Sequence, residues 1–144
     1  MEARIMIIVF ICLTGLWMIF GARPVRADGS ITVTTTNDVI ANDGLCSLRE
    51  AIISANTDSA VSDCPAGSGA DTILFSASLP QPALFVLTKT GTNENGSQTG
   101  DLDLSGTLTI NGPNLTDAGA VIIDGNGSDR VLEILSGRTS RSQG

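Results

Sequence analysis

Arg49 and Glu50 stand side by side in the stretch CSLREAIISAN, Cys46 to Asn56. A carboxylate beside a guanidinium suggests acid–base work. That chemistry needs a further group held across a cleft, within reach of a reacting atom. The chain contains no His and no Tyr, and neither a G-x-S-x-G nor an H-E-x-x-H pattern occurs in it. Spacing offers Glu50 a structural task instead. Ser47 and Glu50 form an S-x-x-E capping box: the Ser47 side chain takes the Glu50 N–H, and the Glu50 carboxylate reaches back to the Ser47 N–H. Arg49 then either faces solvent or holds the domain's own strands. A second set of candidates is acidic, namely Asp101, Asp103, Asp124 and Asp129. Asp101 and Asp103 are two apart in a strand-like run and share a face, where they would chelate a cation or keep that face wet. DGNGSD, Asp124 to Asp129, superficially resembles a calcium loop. Its sixth position is Asp129 where Gly is needed, and the twelfth is Leu135 where Glu is needed. Asp beside Gly ordinarily serves corners and solvation. No metal site and no cofactor is therefore expected; these four acids are the candidates, and Ca2+ the ion they would take.

These residues need elements to hold them. Leu48, Ala51, Ile52 and Ala55 fall on one face of a helix. At about two to three turns it is too short to be stable alone, so that face must dock on something apolar. Before it, Ile31 and Val33 alternate with Thr as in a strand, and Asn42-Asp43-Gly44 ends the run. After the loop Asp58 to Ala70 come six short stretches rich in Val, Ile and Leu: DTILF, ALFVLT, DLDL, TLTI, AVIID and RVLEI. Each is bounded by Gly, Asn, Pro or Ser and reads as a strand. Thr107 and Val131 open comparable stretches 24 residues apart, with AVIID between them. Short strands at that rhythm, joined by Asn-Gly and Asp-Gly corners, suit a β-solenoid. Periodicity favours a parallel β-helix and leaves an antiparallel sandwich as the alternative.

The 144-residue chain carries 8 basic and 15 acidic residues. Arg4, the apolar run Ile5 to Phe20, and Val25 and Ala27 at the −3 and −1 positions have the layout of a secretory signal over 1–27. An uncleaved anchor is the alternative, although the run is short of the roughly 20 residues of a spanning helix. Without 1–27, five basic residues face fourteen acidic ones, a net charge of −9. Nucleic acid and anionic membranes would repel such a surface, so neither is an expected partner. Cys46 and Cys64 are then the remaining cysteines. In an exported protein they read most simply as one disulfide, with two free thiols as the alternative.

The segment ITVTTTNDVIANDGLCSLREAIISANT closely resembles the CSLREA domain, which is named for the residues standing here as Cys46 to Ala51. CPAGSGADTILF, TGDLDLSGTLTINGP and VIIDGNGSDRVLEI are similar to that family's run into its first coils, so the resemblance covers about Ile31 to Ile134. It implies the N-terminal module of a bacterial exported protein that precedes right-handed parallel β-helix repeats. The chain is accordingly expected to be mainly β: the start of a right-handed parallel β-helix with an N-terminal cap containing one short amphipathic helix. Its divisions would be a signal at 1–27, the cap at 28–70, the first coils at 71–135, and a disordered or truncated tail at 136–144. The expected role is non-catalytic capping in a secreted or cell-surface protein, of which this chain would be a fragment. Its parent would be adhesive or binding, taking a carbohydrate or another cell-surface ligand, with downstream β-helix rungs as the cap's neighbours. The alternative is a piece of a pectate-lyase-like polysaccharide-degrading enzyme, which rests on fold analogy alone.

Overall fold

The structure, a computed structural model, describes residues 28–113, 121–127, 129–135 and 140–143. The expected signal segment 1–27 lies outside them, as do 136–139 and Gly144 of the tail. The chain is mainly β with one short helix. Its elements in order are β1 (Gly29–Val33), α1 (Leu48–Thr57), β2 (Ala70–Phe75), β3 (Ala83–Val86), β4 (Leu102–Leu104), β5 (Thr107–Asn111), β6 (Val121–Asp124), β7 (Leu132–Ile134) and β8 (Ser140–Gln143).

The strands form three sheets. One holds β1-β2-β5-β8, a second β3-β6 and a third β4-β7. Every pairing between these strands is parallel, which excludes the antiparallel sandwich for this part of the chain. From β2 onward the chain visits the three sheets in turn, passes through them in the same order again, and returns to the first as β8. Within the tail, Ser140–Gln143 forms β8, which extends the β5 edge. Backbone pairing explains why this was not legible from apolar alternation. The edge of β5 offers unpaired N–H and C=O groups that any extended segment can satisfy.

Parallel register stacks like on like. Ile31 lies beside Ile73, and Ile73 beside Ile110. Ala83 and Phe85 pair with Val121 and Ile123, and Leu102 and Leu104 with Leu132 and Ile134. Alternation turns these residues to one side, as period two requires. The core gathers Ile31, Val33, Ile73, Phe85, Leu102 and Leu108 with the helix residues Leu48, Ala51, Ile52 and Ala55. Phe75 and Phe85 meet edge to face inside it, with ring centroids 5.5 Å apart. Helix α1 sits on β1, β2 and β4, so it touches strands of two different sheets.

The two ends of the stack differ. Beside α1, Leu102 and Leu104 are 0% and 4% exposed; one strand further on, their register partners Leu132 and Ile134 are 38% and 60% exposed. Along the first sheet, Ile31 and Ile73 are buried while Ile110 is partly so. Apolar columns are therefore closed at the α1 end and open at the β7 end.

Candidate functional site

The site is built on the N-terminal turn of α1. Ser47 is the N-cap, with its side chain accepting from the Glu50 N–H at 3.2 Å. The Glu50 carboxylate accepts from the Ser47 N–H at 2.9 Å and, through its second oxygen, from the Ala41 N–H at 2.8 Å. The Ser47 hydroxyl donates to the Val39 carbonyl at 2.7 Å. The capping box thus also fastens the segment preceding the helix, and each oxygen of this fully buried carboxylate accepts a backbone N–H.

Arg49 is buried, at 1% exposure. Its guanidinium pairs with Asp38, Nε to Oδ1 at 2.5 Å and the NH2 nitrogen to Oδ2 at 3.2 Å. The same side chain donates to the carbonyls of Ser97 at 3.0 Å, Gly100 at 2.8 Å and Asp101 at 3.3 Å. Asp38 in turn accepts from the N–H groups of Thr88 at 2.7 Å and Lys89 at 2.9 Å. One ion pair thereby ties three distant pieces of chain: the segment after β1, the helix, and the loop from β3 to β4. Of the two structural roles open to Arg49, solvation is ruled out and cross-linking observed. Only Arg has a planar fork with five donors to serve such a set. Gly100 has φ +62°, and a Cβ there would collide with the Gly91 carbonyl, so this turn requires glycine.

At the other end of α1, Asn56 performs the matching task. Its Nδ2 donates to the Asp103 carbonyl at 2.7 Å, while Oδ1 accepts from Ser105 at 3.0 Å and Gly106 at 3.2 Å. A side-chain amide thus bridges the corner between β4 and β5. Replacing Asn56 by Ala strips partners from a part-buried corner and is expected to cost about 1–3 kcal/mol, read as a lower urea midpoint at unchanged slope. Helix α1 ends with Asp58 in the left-handed conformation, its N–H bonding Ser54 O. The Ser54 hydroxyl lies between the carbonyls of Ser59 and Pro65, within hydrogen-bond reach of both.

Burial of α1 extends beyond the face that the sequence pattern marks. Leu48, Ala51, Ile52 and Ala55 are buried in the core, but so are Arg49, Glu50, Ile53 and Ser54. Loops cover the side that the sequence pattern assigns to solvent, and the polar side chains there bond to loop backbone. Cys46 and Cys64, both buried, are joined with Cα atoms 4.9 Å apart. Their link closes the stretch that contains the whole helix. The loop before α1 closes separately, through Thr34 N–H to Cys46 O and Cys46 N–H to Thr34 Oγ1, each at 2.8 Å.

The acids divide. Asp101 and Asp103 come together with Glu133, which spacing alone did not indicate: their carboxylate oxygens lie within 4.8 Å of one another. Asp103 and Glu133 are direct neighbours in the parallel register of β4 and β7. Asp124 is exposed and accepts from the Asn126 N–H at 2.8 Å, a corner role. Asp129 lies 3.6 Å from Arg130 Nε. Neither belongs to the cluster. Asp101 and Asp103 are 4% and 0% exposed, so a polymeric sugar has no access to their carboxylates.

Two further acids escaped sequence reasoning because partner positions, not local pattern, define them. Asp38 carries the Arg49 pair. Asp71 faces inward on β2 at 2% exposure, in register with Gly29 and Leu108. Its Oδ1 accepts from the Ser68 N–H at 2.8 Å, and Oδ2 accepts none. A Cβ at Gly29 would run into this carboxylate. Burial pushes the Asp71 carboxyl above the usual range, with the charges of Asp58 and Asp28 adding to it. Burial also raises Asp38, yet hydrogen bonds from Arg49, Lys89 and Thr88 and the Arg49 charge outweigh it and hold that carboxyl below its ordinary value.

These opposite shifts have opposite consequences for stability. The Asp38 contribution is complete above the unfolded pKa of about 3.9 and is lost as pH falls through its lower folded value. Asp71 destabilises the fold above its raised folded pKa, and that penalty vanishes below about pH 3.9. The Asp71→Asn variant is therefore expected to be more stable than the parent at pH 7. The advantage should shrink to nothing on acidification, as read from urea midpoints across pH 3–7.

Among the described residues, no helix is long and apolar enough to cross a membrane. Comparison of the chain with protein-family models, with curated proteins and with solved structures finds no match.

Proposed function

We propose that residues 28–70 are the N-terminal cap of an exported parallel β-helix protein and that residues 71–135 are its first coils. The segment itself performs no catalytic step. One observation carries the reading: apolar columns are covered by α1 and β1 at one end of the stack and uncovered at the other, where Leu132 and Ile134 stand exposed. A stack of coils needs such a cover at its end, because an uncapped solenoid exposes its core. The uncovered end suits stacking by further coils.

The order in which the chain revisits three parallel sheets supports a β-helix, as does the resemblance of CSLREA and its surroundings to modules that precede such repeats. The Cys46–Cys64 pair suits an oxidising compartment, so a secreted or cell-surface location fits. The parent's activity would then be adhesion or binding, to a carbohydrate or another surface ligand, through coils beyond this segment.

Deleting residues 28–56 tests the cap. The shortened chain is expected to lose solubility and to melt well below the parent. Equal solubility and an equal melting temperature would refute the capping role.

A further inference from the structure

We propose that Asp101, Asp103 and Glu133 form a calcium-binding site on the third sheet, beside the loop that Arg49 holds. This inference is independent of the capping role. Three carboxylates reach within 4.8 Å of one another, and two of them are buried at 4% and 0% exposure. Asp103 spends Oδ2 on the Ser97 N–H, at 2.9 Å, while Oδ1 is buried without a hydrogen bond. Asp101 Oδ2 is likewise buried and accepts no hydrogen bond. A buried carboxylate oxygen with no donor is costly unless a cation meets it; Arg130 approaches Asp101 Oδ2 at 3.5 Å but makes no ion pair with Asp103. Asp103 and Glu133 also face each other as like charges on paired strands, an arrangement that destabilises a sheet on its own.

The groups around the cluster narrow the choice of ligand. Arg130 is the nearby cation, with Nε 3.5 Å from Asp101 Oδ2 and NH1 3.0 Å from Glu133 Oε1. Its Nε also lies 3.6 Å from Asp129. It is half exposed, and its ion pairs do not include Asp103. Glu94 is engaged by the N–H groups of Gly96 and Thr99. Asp101, Asp103, Glu133 and Asp129 surround the single guanidinium of Arg130, and the negative excess favours a further cation. The ligands are hard oxygens, without His or thiolate, which points to Ca2+ or Mg2+. Oxygens on opposite sides of a calcium ion are about 4.6–5.2 Å apart, whereas those around magnesium are about 4.2 Å apart at most. Separations of up to 4.8 Å are compatible with a calcium ion.

Arg130 would then act as a counter-ion that swings outward when the metal enters. The test is calorimetric titration of the mature chain with CaCl2, alongside thermal melting. Extracellular calcium modules bind with Kd of about 10⁻⁴–10⁻³ M, and that range is expected here. The melting temperature should rise by several degrees between zero and about 10 mM Ca2+ and respond much less to Mg2+. Asp103→Asn and Glu133→Gln should abolish the calcium response, while Asp124→Asn, outside the cluster, keeps it. Arg130→Gln provides a check that leaves all three ligands in place, and it should tighten binding several-fold. Absence of binding heat and of a melting shift in the parent would overturn the site. So would an undiminished response in folded Asp103→Asn, or weaker binding in Arg130→Gln.

Discussion

Replacing Arg49 by Met is expected to lower stability by about 3–5 kcal/mol, the usual cost of removing one member of a buried ion pair. The substitution keeps most of the side chain's bulk but leaves Asp38 charged and buried without its partner. It also leaves the carbonyls of Ser97, Gly100 and Asp101 without the donors that now reach them. Against a typical domain stability of about 5–15 kcal/mol, such a loss is large, and a marginal fold would not survive it. Arg49→Lys should recover only part of the deficit, because an ammonium cannot reproduce the fork that spans Asp38 and three carbonyls. Chemical unfolding with the slope held constant measures both. An Arg49→Met variant as stable as the parent would show that the loop from β3 to β4 is held by other contacts.

Reducing the Cys46–Cys64 link is the second large effect, with an expected loss of about 3 kcal/mol on the chain-entropy estimate for a loop of this size. The closed stretch includes all of α1. Reduction therefore loosens the same element that Arg49 fixes, and the two losses should not simply add. Urea unfolding with and without a reductant, on the parent and on Cys46→Ala/Cys64→Ala, separates the link from the side chains that make it. Identical midpoints in all four conditions would remove the link from the account of stability.

How far the sequence disclosed this depends on the range of each interaction. The capping box is local, with Ser47 and Glu50 three residues apart, and the pattern S-x-x-E points to it directly. The alternation of Ile31 and Val33, and the short apolar runs between Gly- and Asn-rich corners, mark strands for the same reason. Parallel pairing is not local. Ile31 meets Ile73, and Leu102 meets Leu132, through register that no short window contains. The burial of Arg49 depends on Asp38 and on carbonyls some fifty residues away, so a charged side chain on the polar side of a helix could not be told from a solvated one. Glu133 joined Asp101 and Asp103 only once β7 lay beside β4. Asp71 looked like the polar start of a strand, and its inward direction follows from pairing with β1 and β5. Strand β8 carries no apolar pattern and is defined by the edge it completes.

CSLREA reads differently once its partners are known. Cys46 anchors a link, Ser47 and Glu50 start the helix, Leu48 and Ala51 enter the core, and Arg49 crosses to the loop from β3 to β4. All six residues bond or pack outside the motif itself, so the motif fastens α1 to the rest of the fold.

Native-state hydrogen exchange tests that fastening most directly. If α1 and the strands it covers form one cooperative unit, the amides of Ala51–Ala55 and those of β2 and β4 open with the same free energy, and Arg49→Met lowers all of them by the same amount. Exchange of the α1 amides at a distinctly lower free energy, with β2 and β4 still protected after the substitution, would contradict the account and make the helix a separate, dispensable attachment.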